Sequence, residues 1–113
     1  FMTKLVGPAK AREIYFTSDR VDAATCLELG LFNRVVPKEA LAEETFTLAA
    51  KIAAGPPIAL RYMKANLNRA LEEDLETCLR YEADRMVRGA QSEDYTEAVS
   101  AFAEKRAPRF RGR

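Results

Sequence analysis

The sequence predicts a mainly α-helical chain, and three observations carry that expectation. Apolar residues recur at helical spacing in several separate stretches. Helix-starting residues (Pro8, Asp22, Ser92) and helix-ending ones (Gly30, Gly55-Pro56-Pro57, Pro108) punctuate those stretches at short intervals. Only Leu31–Val36 has the extended character of a strand.

Each element has a local cause. Gly7-Pro8 opens the first helix, because proline fits the first helical position. That helix runs to about Phe16 and is expected to bury Ile14 and Tyr15. Thr17-Ser18-Asp19-Arg20 reads as a turn. Asp22 can cap a short helix over Ala23–Leu29, and Gly30 supplies the left-handed residue that ends it. Leu31–Val36 follows as the strand-like connector, closed by Pro37.

Lys38–Ala54 reads as a long helix with Leu41, Leu48 and Ile52 along one side. Alanines at 42, 49 and 53 lie beside them and form a seam that a second helix could approach closely. Gly55-Pro56-Pro57 breaks it. The next helix carries Leu60, Met63, Leu67 and Leu71 at helical spacing. Glu72-Glu73-Asp74 marks either a bend or the acidic first turn of the following helix. That helix sets Leu75, Leu79 and Met86 on one face. Gly89–Ser92 reads as a loop, and Ser92 caps the last helix, with Glu93 and Asp94 complementing its dipole. Its inner face is expected to be Tyr95, Ala98, Val99 and Phe102.

Composition narrows the function classes. The 113 residues carry a net charge of +1 and 48% hydrophobic residues, which fits one small ordered domain or a piece of a larger protein. There is no histidine. That excludes Ser-His-Asp and Cys-His chemistry from this chain, and most zinc sites. No apolar run approaches a membrane span, and no signal peptide is visible. Cys26 and Cys78 read as reduced core thiols of a cytoplasmic protein. The chain begins at Phe1 rather than a methionine, as a fragment or processed product would.

The most informative segment is Ala101–Arg113, AFAEKRAPRFRGR. Phe102 and Lys105 are three apart, so on a helix they share a face. An aromatic plane beside an ammonium suits an adenine nucleotide bearing phosphate. Spacing alone is better met by a core Phe102 and a solvated Lys105 at a helix C-terminus. From Lys105 onward there are five basic residues and no acid. The low net charge and the lack of any other basic stripe argue against a nucleic-acid contact. Glu82 interrupts the Leu75, Leu79, Met86 stripe. A carboxylate there asks for an ion pair or helix-end partner within the bundle, or else marks an acid near a ligand. Arg80, Arg85 and Arg88 read as solvated or interface groups.

Four stretches in order resemble the enoyl-CoA hydratase/isomerase (crotonase) family. FMTKLVG, Phe1–Gly7, is similar to the segment after that family's glycine-rich catalytic turn. DRVDAATCLELGLFNRVVP, Asp19–Pro37, resembles its T-G-x-x-[IV]-x-A-x-x-A-x-x-x-G-L-V-x-x-V-x-P stretch. Ser92-Glu93-Asp94 with Glu97 and Ala98 resembles [ST]-x-D-x-x-E-[GA] at the start of the final helix. AFAEKRAPRF then resembles the family's C-terminal signature. Thr17-Ser18 departs from the usual Thr-Gly, and Cys26 stands at a common alanine.

The resemblance implies that residues 1–113 are the C-terminal helical (trimerisation) part of the crotonase α/β ββα-spiral fold. The N-terminal ββα-spiral catalytic domain would lie outside this chain. It implies an acyl-CoA substrate, reversible hydration of 2-enoyl-CoA thioesters, and a homotrimer or dimer of trimers. Double-bond isomerisation, or a non-catalytic helical assembly module, is the alternative. The family's oxyanion hole and two glutamates would precede Phe1, so no catalytic residue is carried over to this chain. No metal or separate cofactor is implied, coenzyme A being part of the substrate. Phe102 and Lys105 match positions that reach a neighbouring subunit's CoA, near adenine and the ribose phosphate respectively. Met86 matches a position that lines the fatty-acyl end, where ordinary core packing is the plainer role.

Overall fold

The computed structural model describes all residues 1–113 as six α-helices and one 3-10 turn, with no strand. Two units divide the chain, Phe1–Glu44 and Thr45–Arg113.

In the first unit, α1 spans Met2–Thr17 and is interrupted at Gly7, where φ is 78°. Pro8 opens the second segment as expected, but a helical turn precedes it that the proline signal gave no hint of. Ala11 is the buried residue of this helix. Ile14 is only half-buried and Tyr15 is exposed, against expectation. α1 ends on Ser18, a left-handed residue at φ 56° whose N–H returns to the Ile14 carbonyl. This is the position where the resembled family carries glycine.

α2, Ala23–Glu28, is capped as anticipated: the Asp22 carboxylate accepts the Thr25 N–H at 2.8 Å. Those bonds hold the Asp22 carboxyl below its ordinary range. Gly30, at φ 72°, closes the helix with paired 6→1 and 5→2 bonds, Leu31 N–H to Cys26 O and Gly30 N–H to Leu27 O. Leu31–Val36 is not a strand. A strand needs a neighbour to satisfy its ladder, and this stretch has none in the chain.

The long helix expected over Lys38–Ala54 is a 3-10 turn, Lys38–Ala40, followed by α3, Leu41–Ala53. Its Leu41, Leu48 and Ile52 seam is exposed. The second unit then builds α4, Pro57–Arg69, with proline at its first position. α5 follows at Leu75–Ala90 and α6 at Glu93–Ala103. Asp74 settles the acidic triplet: it is the N-cap of α5 and accepts the Thr77 N–H at 2.9 Å. α5 continues through Gly89 to Ala90, so the loop expected from Gly89 shrinks to Gln91 and Ser92. α4 packs on α5, and α5 on α6. Arg69 crosses from α4 to lie 3.9 Å from the Tyr81 ring centroid, and Arg85 bonds Asn66 Oδ1, which ties the same two helices.

The last helix turns its expected face the other way. Tyr95, Val99 and Phe102 are exposed, while Asp94 and Ala101 are buried. The apolar periodicity was real, but the smaller residues meet the rest of the unit. Leu75, Leu79 and Met86 on α5 likewise point outward. Cys26 is buried as expected, Cys78 only half so, and both are free thiols.

Candidate functional site

The C-terminal end of α6 ends in a left-handed turn. Glu104 is the C-cap, and Lys105 follows at φ 56°. Lys105 N–H bonds Phe102 O at 3.2 Å and Arg106 N–H bonds Ala101 O at 3.0 Å. Glycine is the usual residue at this place, because a Cβ in the left-handed region costs about 1 kcal/mol. The expected pairing of Phe102 and Lys105 on one helical face is therefore modified. Phe102 belongs to the helix and is 88% exposed, whereas Lys105 lies past the cap, also exposed. Both are presented at the same turn. The Lys105 ammonium has no carboxylate partner in the chain.

The tail beyond Lys105 folds back along α6. Glu97 grips Arg106 by both oxygens, Oε1 to Nη1 at 2.5 Å and Oε2 to Nη2 at 3.0 Å, and also accepts the Arg109 N–H at 2.8 Å. Arg106 bonds Glu104 at 2.6 Å as well. The Arg106 guanidinium, then the Arg109 amide, hold the Glu97 carboxyl down to about 2. One turn earlier, Asp94 is 3% exposed and accepts the N–H groups of Arg111 at 2.6 Å and Gly112 at 2.8 Å. The Asp94 N–H itself donates to the Arg113 carbonyl at 3.2 Å. Arg113 pairs with Glu93 at 2.8 Å. Gly112 has φ 76°, and a Cβ there would stand 3.6 Å from Pro57 Cγ. The tail thus runs beside the first turn of α4.

This clasp is what the sequence reading missed. From sequence, Asp94 complements the helix dipole and the tail arginines form a basic end free to stay solvated. Two of those arginines, 106 and 113, are instead committed to carboxylates of α6 and its cap. The signal available was the placement of Glu93, Asp94 and Glu97 on successive turns, opposite a tail with arginines at alternating positions.

Met86 stands apart from that turn. It lines an open groove of about 610 Å³ formed by α4, α5, α6 and the tail. Ile58, Tyr62, Met63, Tyr95 and Phe110 share its walls. Phe102 and Lys105 line no part of it. Met86 is 72% exposed within this chain, so the core role does not describe it here. Glu82 also faces the groove and is exposed. The ion pair expected for it within the bundle does not form. Four other charges of α5 are locally paired, Arg80 with Glu76 at 2.6 Å and Arg88 with Asp84 at 2.8 Å.

Chemically the arrangement offers a surface aromatic beside an unpaired ammonium, and a separate apolar groove. Comparisons with known proteins converge on one family. The enoyl-CoA hydratase/isomerase family matches residues 1–113. A short-chain-enoyl-CoA hydratase of Clostridium acetobutylicum is 32% identical over 105 residues, covering 93% of this chain and 40% of that protein. The crystal structure of an enoyl-CoA hydratase from Bacillus anthracis superposes with a TM-score of 0.94 at 34% identity, over 99% of this chain and 43% of that one. Enoyl-CoA hydratase subunit I of Geobacillus kaustophilus gives a TM-score of 0.91 at 41% identity, over 99% and 44% respectively. The chain spans about two fifths of the length of the curated relatives it matches.

Proposed function

Because the chain belongs to the enoyl-CoA hydratase/isomerase family, we propose that it works within an acyl-CoA-processing enzyme that reversibly hydrates 2-enoyl-CoA thioesters. In that reaction water adds across the double bond, hydroxyl to C3 and a proton to C2. The observation that carries the reading is the match over residues 1–113, which leaves no segment outside the family pattern.

In this reading the chain is the C-terminal helical region of the enzyme and brings no catalytic group of its own. An N-terminal catalytic domain supplies the reacting centre. Phe102 stacks on the adenine of CoA, and Lys105 meets its ribose phosphate as a compact point charge. Met86 lines the acyl end. The exposed seams of α3 and α5 supply assembly into a homotrimer or dimer of trimers, and the enzyme is cytoplasmic. No helix of the chain is long and apolar enough to cross a membrane. The 113 residues alone are inactive.

The complete protein tests this. With 2-butenoyl-CoA it is expected to remove the absorbance of the conjugated thioester as water adds. Double-bond isomerisation is the alternative within the family. It would instead raise that absorbance from a 3-enoyl-CoA, as a proton leaves C2 and another joins C4. Activity on neither substrate overturns the enzymatic reading and leaves a helical assembly module.

A further inference from the structure

The left-handed Lys105 is held from both sides by bonds within the chain. On one side its own N–H and that of Arg106 close the end of α6 onto the Phe102 and Ala101 carbonyls. On the other, the very next side chain is fixed three times over. Arg106 meets both Glu97 oxygens, at 2.5 and 3.0 Å, and Glu104 at 2.6 Å. The Arg109 N–H adds a second tie to the same Glu97 oxygen that meets Arg106 Nη1. A strained backbone persists where its surroundings over-determine it, and such residues cluster where a side chain must be presented in one direction. A glycine would satisfy the turn without strain but would present nothing.

We infer that Glu97 is a positioning residue: by holding Arg106 and the Arg109 amide, it fixes Lys105 in the left-handed turn beside Phe102, so that the pair meets the nucleotide half of CoA as a pre-formed unit. The inference rests on the reading of Phe102 and Lys105 as the CoA contact and adds how that contact is built. Glu97 itself has no room for a phosphate, since its oxygens are occupied and its charge is of the wrong sign. Its effect therefore passes through Lys105. The energetic logic is pre-organisation: ordering the turn before the ligand arrives spares that ordering cost on binding.

The test uses the complete enzyme with three variants, Glu97→Gln, Lys105→Ala and the double variant. Two substrates are compared: a 2-enoyl-CoA and the matching pantetheine thioester, which lacks the nucleotide. Glu97→Gln is expected to raise KM for the CoA substrate by roughly three- to tenfold with kcat little changed, and to leave the pantetheine substrate unaffected. The double variant is expected to match Lys105→Ala alone, because both changes disable one device. Hydrogen exchange supplies a reading independent of turnover, with the amides of Lys105, Arg106 and Arg109 exchanging faster in Glu97→Gln. An additive KM rise in the double variant overturns the inference. So does an equal loss on both substrates, or unchanged exchange at those amides. If Lys105→Ala leaves KM unchanged, the CoA contact itself fails. If Lys105→Ala raises KM but Glu97→Gln does not, only the positioning role fails.

Discussion

The Asp94 carboxylate accepts the Gly112 N–H at 2.8 Å, which ties the last residues of the chain to the first turn of its last helix. A second bond from Arg111 N–H at 2.6 Å shares the load, and the acid is buried. Replacing Asp94 by alanine removes an ionised acceptor from two amides and opens space beneath the tail. Asp94→Ala is expected to lower stability by about 2 kcal/mol, read from the urea midpoint at constant slope. An unchanged midpoint would show that the tail contributes nothing to the fold.

Acid should release part of this clasp. The Glu97 carboxyl sits at about 2 against an ordinary 4.5, held down first by the Arg106 side chain and then by the Arg109 amide. A carboxyl depressed in the folded state contributes stability that is complete above its unfolded value and is lost as pH falls through the folded one. The window is therefore from about 4.5 down to about 2. Asp22 and Asp74, lowered by the amides they cap, act in the same direction. The urea midpoint is expected to fall across that window in the wild type and less steeply in Glu97→Gln. Parallel curves would refute the assignment.

Two left-handed residues offer a matched pair of substitutions. Ser18 and Lys105 both have φ 56° at the ends of helices. Glycine at either place should stabilise by about 1 kcal/mol, raising the melting temperature. In the complete enzyme Lys105→Gly should also raise KM for the CoA substrate, while Ser18→Gly should leave it alone. A stabilised Lys105→Gly enzyme with unaltered KM would deny Lys105 its role.

The cap of α6 makes a simpler test. Ser92 Oγ accepts the Tyr95 N–H at 3.1 Å and donates to the Gly89 carbonyl at 2.7 Å. Ser92→Ala is expected to cost about 1 kcal/mol, and Ser92→Gly less, by thermal melting. Equal and negligible effects would show that the Ser92 hydroxyl contributes nothing to the start of α6.

These results show where the sequence was legible. Helix starts at Pro8, Asp22 and Ser92, and the stop at Gly30, follow from local chemistry that one residue type decides. Burial did not follow. Periodicity reports that Tyr95, Val99 and Phe102 share a face, but not which neighbour covers it; in this chain the small and acidic side of α6 is the packed one. The same limit applies to Leu31–Val36, whose extended character needs a ladder partner that the chain does not contain. The clasp was illegible for another reason. It joins Asp94 to Arg111, Gly112 and Arg113 largely through backbone groups, which leave no mark in a sequence. Of the candidate site, the closeness of Phe102 and Lys105 in the chain is plain in the sequence, but the left-handed turn that takes Lys105 off the helix is not.

In the proposed function this chain grips the handle of an acyl-CoA rather than performing its chemistry. The most direct measurement is the steady-state kinetics of Phe102→Ala and Lys105→Ala in the complete enzyme with a 2-enoyl-CoA. KM is expected to rise in both, by roughly tenfold for the lost charge–phosphate contact, while kcat falls far less. An unchanged KM in both variants, or a collapse of kcat at constant KM, would contradict it.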